Sequence, residues 1–166
     1  MISESIPFHL QEILDQIDDE LKSPTLMLLS ENVDDRIVGV VSLQHLCDEE
    51  SVPFLIHALS DDSDDVVFTA VTSLWEIASQ AAVVPLIECL RSSCTDRTRS
   101  EALNALKELV NQDQLLVLLD QLVQEDVPFQ ASILILLRKI HDIQALPSIA
   151  PFFESSHEIL RQEAVT

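Results

Sequence analysis

The run from Asp34 to Leu59, DDRIVGVVSLQHLCDEESVPFLIHAL, comes back along the chain. It is followed by DDVVFTAVTSLWEIASQAAVVPLIECL, then DRTRSEALNALKELVNQDQLLVLLDQL, then PFQASILILLRKIHDIQALPSIAPFF. Alignment brings Arg36, Val67, Arg99, Gln130 and Arg161 into one slot, with successive steps of 31, 32, 31 and 31 residues. A unit of this size cannot bury an apolar face alone, so a repeat of this kind spreads its core along a stack.

Each copy carries two apolar runs at helical spacing with a polar gap between them. In the first copy, Gly39, Val40, Leu43, Leu46 and Cys47 make one stripe, and Val52, Leu55, Ile56 and Leu59 the other, separated by Asp48-Glu49-Glu50. The counterparts are Ala70, Val71, Leu74, Ile77 and Ala78 with Val83, Leu86, Ile87 and Leu90, then Ala102, Leu103, Leu106, Leu109 and Val110 with Leu115, Leu118, Leu119 and Leu122. The last full copy gives Ile133, Leu134, Leu137 and Ile140 with Leu146, Ile149 and Phe153. Helices of about 10 to 13 residues follow, roughly 15 to 20 Å long. A single glycine and 4% aromatic residues argue against a many-turned β-sandwich, and 47% apolar residues against disorder. The prediction is an all-α solenoid of stacked antiparallel helix pairs, one domain over 1–166. Residues 1–33 form a degenerate N-terminal capping repeat, 34–61, 62–93, 94–125 and 126–156 full repeats, and 157–166 a truncated one.

In the capping repeat, Ser3 or Ser5 with Pro7 reads as a helix start, and Ile6, Leu10, Ile13, Leu14, Ile17 and Leu21 as its stripe. Pro24 then reads as the opening of a second helix through Leu29. Pro53, Pro85, Pro128 and Pro147 fall in or near first turns, where a missing N–H costs nothing. Asp61, Asp62, Asp64 and Asp65 precede one first helix and Glu125 and Asp126 another, where carboxylates favour the helix dipole. The truncated repeat implies either a fragment of a longer solenoid or self-association, with the last repeat covered by another copy.

Twenty-nine acidic residues against nine basic ones give a net charge of −20. Such a chain repels phosphate backbones and anionic lipid, so neither nucleic acid nor membrane is expected as a partner. No apolar stretch approaches the roughly 18 residues of a membrane span, and the N-terminus has no basic leader. Cys47, Cys89 and Cys94 cannot all pair and form no CxxC, which suits reduced thiols in a cytoplasmic protein. His9, His45, His57 and His141 are scattered without ligand spacing, and one glycine cannot build a nucleotide-binding loop. No catalytic, metal or cofactor residue is expected.

A small residue with leucine four on, a short acidic turn, and VP or LP ahead of a second leucine helix resembles HEAT-like repeats, closest to the short type of phycobilisome lyases. RSEALNAL (Arg99 to Leu106) and LRQEAV (Leu160 to Val165) carry the resemblance best, while Val67 and Gln130 depart from the arginine. The resemblance implies a right-handed α-solenoid whose second helices line a concave, protein-binding side. HEAT-like deoxyhypusine hydroxylase resembles the chain in repeat type, but the metal-binding His-Glu pairs of that enzyme would fall on Ser100-Glu101 and Gln162-Glu163, and His157-Glu158 is out of register.

The outward rows of the second helices are then His57, Glu88, Asp120 and Pro151; Ala58, Cys89, Gln121 and Phe152; and Phe54, Pro85, Val117 and Ser148. Phe54, His57, Glu88, Val117, Asp120 and Phe152 are the candidate concave protein-binding residues, an apolar strip flanked by carboxylates. On the convex side, Trp75 shares its slot with Gln44, Lys107 and Arg138, and Phe68 with Ile37, Ser100 and Ala131, so Phe68 and Trp75 form a second candidate surface. The reading is a non-catalytic interaction scaffold favouring a partner with a basic surface. The alternative, implied by the resemblance alone, is a phycobilin-lyase-like or chaperone-like subunit handling a tetrapyrrole-bearing protein.

Overall fold

The computed structural model describes residues 18–46, 49–92, 94–122, 126–140 and 146–165. The part before Asp18 of the helix expected from Ile6 to Leu21, together with Cys47 and His141, lies outside the described residues. Ten α-helices and no strand occur among the described ones: α1 Asp19–Met27, α2 Val33–Leu46, α3 Val52–Ala58, α4 Asp64–Ile77, α5 Val83–Arg91, α6 Asp96–Leu109, α7 Gln112–Gln121, α8 Val127–Ile140, α9 Leu146–Ile149 and α10 Glu158–Val165. The fold is all-α, as the repeat requires. The first helices α2, α4, α6 and α8 have 14 residues each, longer than the periodicity suggested. The second helices are shorter because 3-10 turns take part of their length, Glu49–Ser51 before α3, Gln80–Ala82 before α5 and Ala150–Glu154 after α9.

The chain separates into two compact units, Met1–Pro85 and Leu86–Thr166. In the first, α1 packs on α2, α2 on α4, and α3 on α4. Val40, Leu43, Leu55, Ala70, Val71 and Leu74 are buried there as the stripes require. A buried Leu or Val contributes roughly 1.5 to 3 kcal/mol. In the second unit, α6 and α10 both pack on α8, and the 3-10 turn packs on α10. Its core includes Ala102, Leu103, Leu106, Leu115, Leu118, Leu122, Ile133, Leu134, Leu137 and Leu160.

Local chemistry sets several helix starts. Asn32 Oδ1 accepts from the Asp34 N–H (3.0 Å), and Thr95 Oγ1 from the Thr98 N–H (3.3 Å). Asp126 Oδ1 accepts from the Phe129 N–H (2.9 Å). Asn111 and Gln114 bond reciprocally, each side chain accepting from the other's backbone N–H at 2.9 and 3.0 Å, a capping box that fixes the start of α7.

The N-terminal repeat departs from expectation. Pro24 does not open a helix; it lies inside α1. Its carbonyl and the Cβ of Met27 press on α2 at Gly39, where an added Cβ would stand 2.8 and 2.9 Å from them. The one glycine of the chain is therefore what lets α1 approach α2 this closely.

Candidate protein-interaction surface

The second helices depart from the expected stripe: α5 buries Cys89 besides it, and α9 buries none of its residues. In α3 the buried residues are Val52, Phe54, Leu55 and Ala58, with Ile56 and Leu59 only half-buried. Phe54, placed on an outward row by the alignment, is fully buried. The side of α3 that carries Phe54 and Ala58, one turn apart, is the inward one. Phe152 is corrected in the same way. The slot alignment put Phe153 inward and Phe152 outward, but Phe152 is buried, and Phe153 and Leu146 are exposed. The physical reason is the 3-10 turn Ala150–Glu154, which follows Ile149 directly and carries Pro151 in its first turn. With three residues per turn instead of 3.6, the residue that follows Ile149 on one face is Phe152 rather than Phe153. Neither phenylalanine belongs to an exposed strip.

The row of His57 behaves differently. His57 is half-buried, and Glu88 and Pro151 are exposed. The side chains of Val117 and Asp120, both on α7, lie outside the described part of the structure. One turn before this row stand Pro53, Val84 and Pro147, all exposed, with Val84 at 62%. The alignment did not single these out. Spacing i−4 from His57, Glu88 and Pro151 was the signal that would have found them. Val84 and Glu88 are thus one turn apart on α5, an apolar and an acidic side chain both in water. Glu88 also sits 3.5 Å from Arg91 Nε, and the Arg91 guanidinium lies 4.4 Å from the centre of the Phe129 ring.

On the first helices, Phe68 and Trp75 are half-buried on α4. In the second unit the slot of Trp75 holds Lys107 and Arg138, both exposed; that of Phe68 holds Ser100, exposed, and Ala131, buried.

The arginine slot has a structural task. Arg36 donates to both Asp61 oxygens at 2.8 Å, to Asp62 Oδ1 at 2.6 Å and to the Ser30 carbonyl at 3.0 Å. Arg99 donates to Ser132 Oγ (3.2 Å) and to the Cys94 carbonyl (3.4 Å), and Arg161 to the Ser155 carbonyl (2.6 Å). Gln130, the departure from arginine, donates to the Leu122 carbonyl at 3.1 Å. Four residues of the slot therefore tie their helix to a carbonyl of the preceding segment. Burial pushes the Asp61 carboxyl up, but hydrogen bonds from Arg36 and from the Ser63 N–H outweigh it and hold the group below the usual carboxylate value. The bond to Asp61 in turn raises the pKa of Arg36 above the ordinary guanidinium value.

Among the described residues no group of three or more His, Cys, Asp and Glu is placed to hold a metal ion. Cys89 is buried and Cys94 half-buried. No helix among the described residues is long and apolar enough to cross a membrane.

Helix pairs at a period near 31 residues, tied by a recurrent slot and with no strand among the described residues, define an α-helical repeat protein. Residues 23–107, just over half of the chain, match the family of HEAT repeats, and the chain belongs to that family. No curated protein matches it. Among solved structures it is similar to a chain in the complex of CpcE and CpcF of phycocyanin lyase from Nostoc sp. PCC7120. The identity is 23% and the TM-score 0.55, over 89% of this chain and 63% of that one. The likeness is one of fold, and this chain spans less than two thirds of its neighbour's length.

Proposed function

We propose that this protein is a non-catalytic, cytoplasmic interaction scaffold that binds another protein along the outward residues of its second helices. In the first unit these are His57, Pro53 and Val84, and in the second Glu88 and Asp120. Phe54 and Phe152 are buried and take no direct part in binding, and Val117 is assigned to the surface by register. The observation that carries the reading is Val84, an apolar side chain 62% exposed one turn from an exposed carboxylate in a family of repeat folds. The charge of −20 favours a partner with a basic surface, attracted by steering, and disfavours nucleic acid and anionic membrane.

Val84→Asp and Glu88→Arg test it directly. Each is expected to leave thermal stability within about 0.5 kcal/mol, while reducing capture of the partner, identified by mass spectrometry from source lysate. Glu88→Arg should act mainly at low salt. Unchanged capture by both variants would sink the proposal. Phe54→Ser is the control for confusion of folding with binding, since it removes a buried ring and costs about 3 to 5 kcal/mol of stability.

One observation favours a second reading, a phycobilin-lyase-like or chaperone-like subunit handling a tetrapyrrole-bearing protein: the neighbour in fold is a chain of a phycocyanin lyase complex. Titration with a linear tetrapyrrole separates the two. A shifted visible absorption band supports the second reading, and an unchanged spectrum at high protein concentration removes it.

A further inference from the structure

The fourth second helix, α9 with the 3-10 turn that continues it, carries the same apolar slots as the others but does not bury them. The slot of Leu146 holds Val52, Val83 and Leu115 in the other copies, all buried, whereas Leu146 is 53% exposed. The slot of Ile149 holds Leu55, Leu86 and Leu118, again buried, whereas Ile149 is half-buried. Pro151 is the local cause of the change in helix type. It has no N–H to give the Pro147 carbonyl four residues back, so the α-helix stops after one turn and the chain goes on as the 3-10 turn Ala150–Glu154.

The exposed apolar side chains of this run fall in one row. Ala150 comes three residues after Pro147 and four after Leu146, the spacings that share a helix face. Phe153 comes three after Ala150, and side chains at that spacing eclipse in a 3-10 turn. Leu146, Pro147, Ala150 and Phe153 are all exposed, Phe153 at 44%. The row runs about 12 Å, at roughly 1.5 Å per residue in the α-helical turn and 2.0 Å in the 3-10 one. No residue from Leu146 to Phe153 is charged. The charges come at the end of the row, where Glu154 is exposed and where the 3-10 turn packs on α10, with Glu158 exposed at its start.

We infer that this row is a docking site for an amphipathic α-helix of a partner protein, with lysine or arginine flanking its apolar stripe. The slots say what shape fits, because in a stack of helix pairs the stripe of a second helix is packed by another helix. Residues i, i+3 or i+4, and i+7 of a docked helix span about 10 Å, close to the length of the row. Glu154 and Glu158 set the sign of the partner's charge. A second copy of this chain fits worse, since it brings another charge of −20 toward the same acids, and an anionic membrane is repelled for the same reason. The inference rests on the scaffold reading for the premise that the partner is a protein. It lies wholly in the second unit, whereas Val84 belongs to the first.

The probe is a fluorescein-labelled Leu/Lys peptide of about four turns with its leucines on one face, and binding is read as anisotropy. Its controls are a shuffled peptide of the same composition and a Leu/Glu peptide of the same pattern. The patterned Leu/Lys peptide is expected to bind saturably and to slow amide exchange in residues 146–154, the shuffled peptide to bind about tenfold more weakly and the Leu/Glu peptide not at all. Leu146→Ser and Phe153→Ser, both at exposed positions, should each weaken binding about tenfold, and Glu154→Lys several-fold, with circular dichroism unchanged. If a variant loses its helical signal, the site of amide protection in the unaltered protein decides instead. Val84→Asp leaves peptide binding intact, so its effect on capture of the lysate partner judges the first-unit surface separately. Equal binding of the shuffled peptide, undiminished affinity of both serine variants, or protection confined to other segments would each overturn the inference. So would a dimer in sedimentation that Phe153→Ser dissociates while no peptide binds, which marks a second copy as the occupant.

Discussion

Three slots of the repeat are filled differently in the two units, and the differences show what the repeat specifies. Arg36 grips two carboxylates, whereas Arg99, in the same slot, meets a hydroxyl and a carbonyl. Gly39 lies under the Pro24 carbonyl, whereas Ala102 has room for its methyl in a buried site. Ala78 ends α4 in the left-handed region at φ 57°, whereas Val110 ends α6 in an extended one at φ −68°. The repeat thus fixes where a side chain points, and the neighbouring segment decides what it must do there.

The arginine slot gives the largest expected difference. The Asp61 side chain is only 12% exposed, so removing Arg36 strands a carboxylate that has little access to water; Asp62, at 92%, loses almost nothing. Arg36→Ala is expected to cost about 2 to 3 kcal/mol in urea unfolding, and Arg99→Ala about 1, the worth of neutral hydrogen bonds. Equal costs would dissolve the contrast between the units. The pH dependence follows from the direction of the Asp61 shift. A carboxyl held below its unfolded value contributes stability that is fully present above about pH 4 and is lost as pH falls through the lower folded value. In Arg36→Ala the stranded Asp61 carboxyl is pushed up by burial and protonates at a higher pH than in the wild type, so the gap should be full at neutral pH, begin to narrow above about pH 4 and close further below it.

The small-residue slot comes next. Gly39→Ala gains helix propensity of about 1 kcal/mol but drives a methyl to within 3 Å of a backbone carbonyl, which cannot swing aside as a side-chain tip could. The net expectation is a loss of about 1 to 2 kcal/mol. Ala102→Gly, the reciprocal change, should lose about 1 kcal/mol through propensity and the buried methyl. A stabilised Gly39→Ala protein would show that α1 moves off α2 freely and that the glycine is incidental.

Most of the fold could be read from apolar period because the long first helices are regular: Val40 and Leu43, Ala70 and Leu74, and Leu103 and Leu106 are buried where a 3.6-residue period puts them. The surface was legible only in part. The outward setting of Glu88 follows from that same period. Phe152 and Phe153 exchanged places because a 3-10 turn changes the period after Ile149, and slot alignment carries no record of turn type. Phe54 was misplaced because a large aromatic at the margin of a stripe can be drawn in with it. The ties of Arg99, Gln130 and Arg161 were hidden for another reason: their acceptors are backbone carbonyls, which every residue has and no sequence pattern marks.

The helix ends carry the smallest difference and the most direct test of whether the neighbour or the slot sets the backbone. Ala78 donates its N–H to the carbonyls of Leu74 and Trp75 from a left-handed conformation that costs a residue with a Cβ about 1 kcal/mol. Its side chain is exposed, so glycine forfeits almost no burial there. Part of the relief is offset by the larger conformational freedom glycine has in the unfolded chain, and Ala78→Gly is expected to gain about 0.5 kcal/mol. Val110→Gly has no strain to relieve, and it should lose about 1 kcal/mol through the same unfolded-state term and a half-buried side chain. Opposite signs in thermal unfolding would place the cause in the backbone of α4's end. A loss in both would mean that the Ala78 methyl, rather than its φ, holds the turn into the 3-10 segment at Gln80.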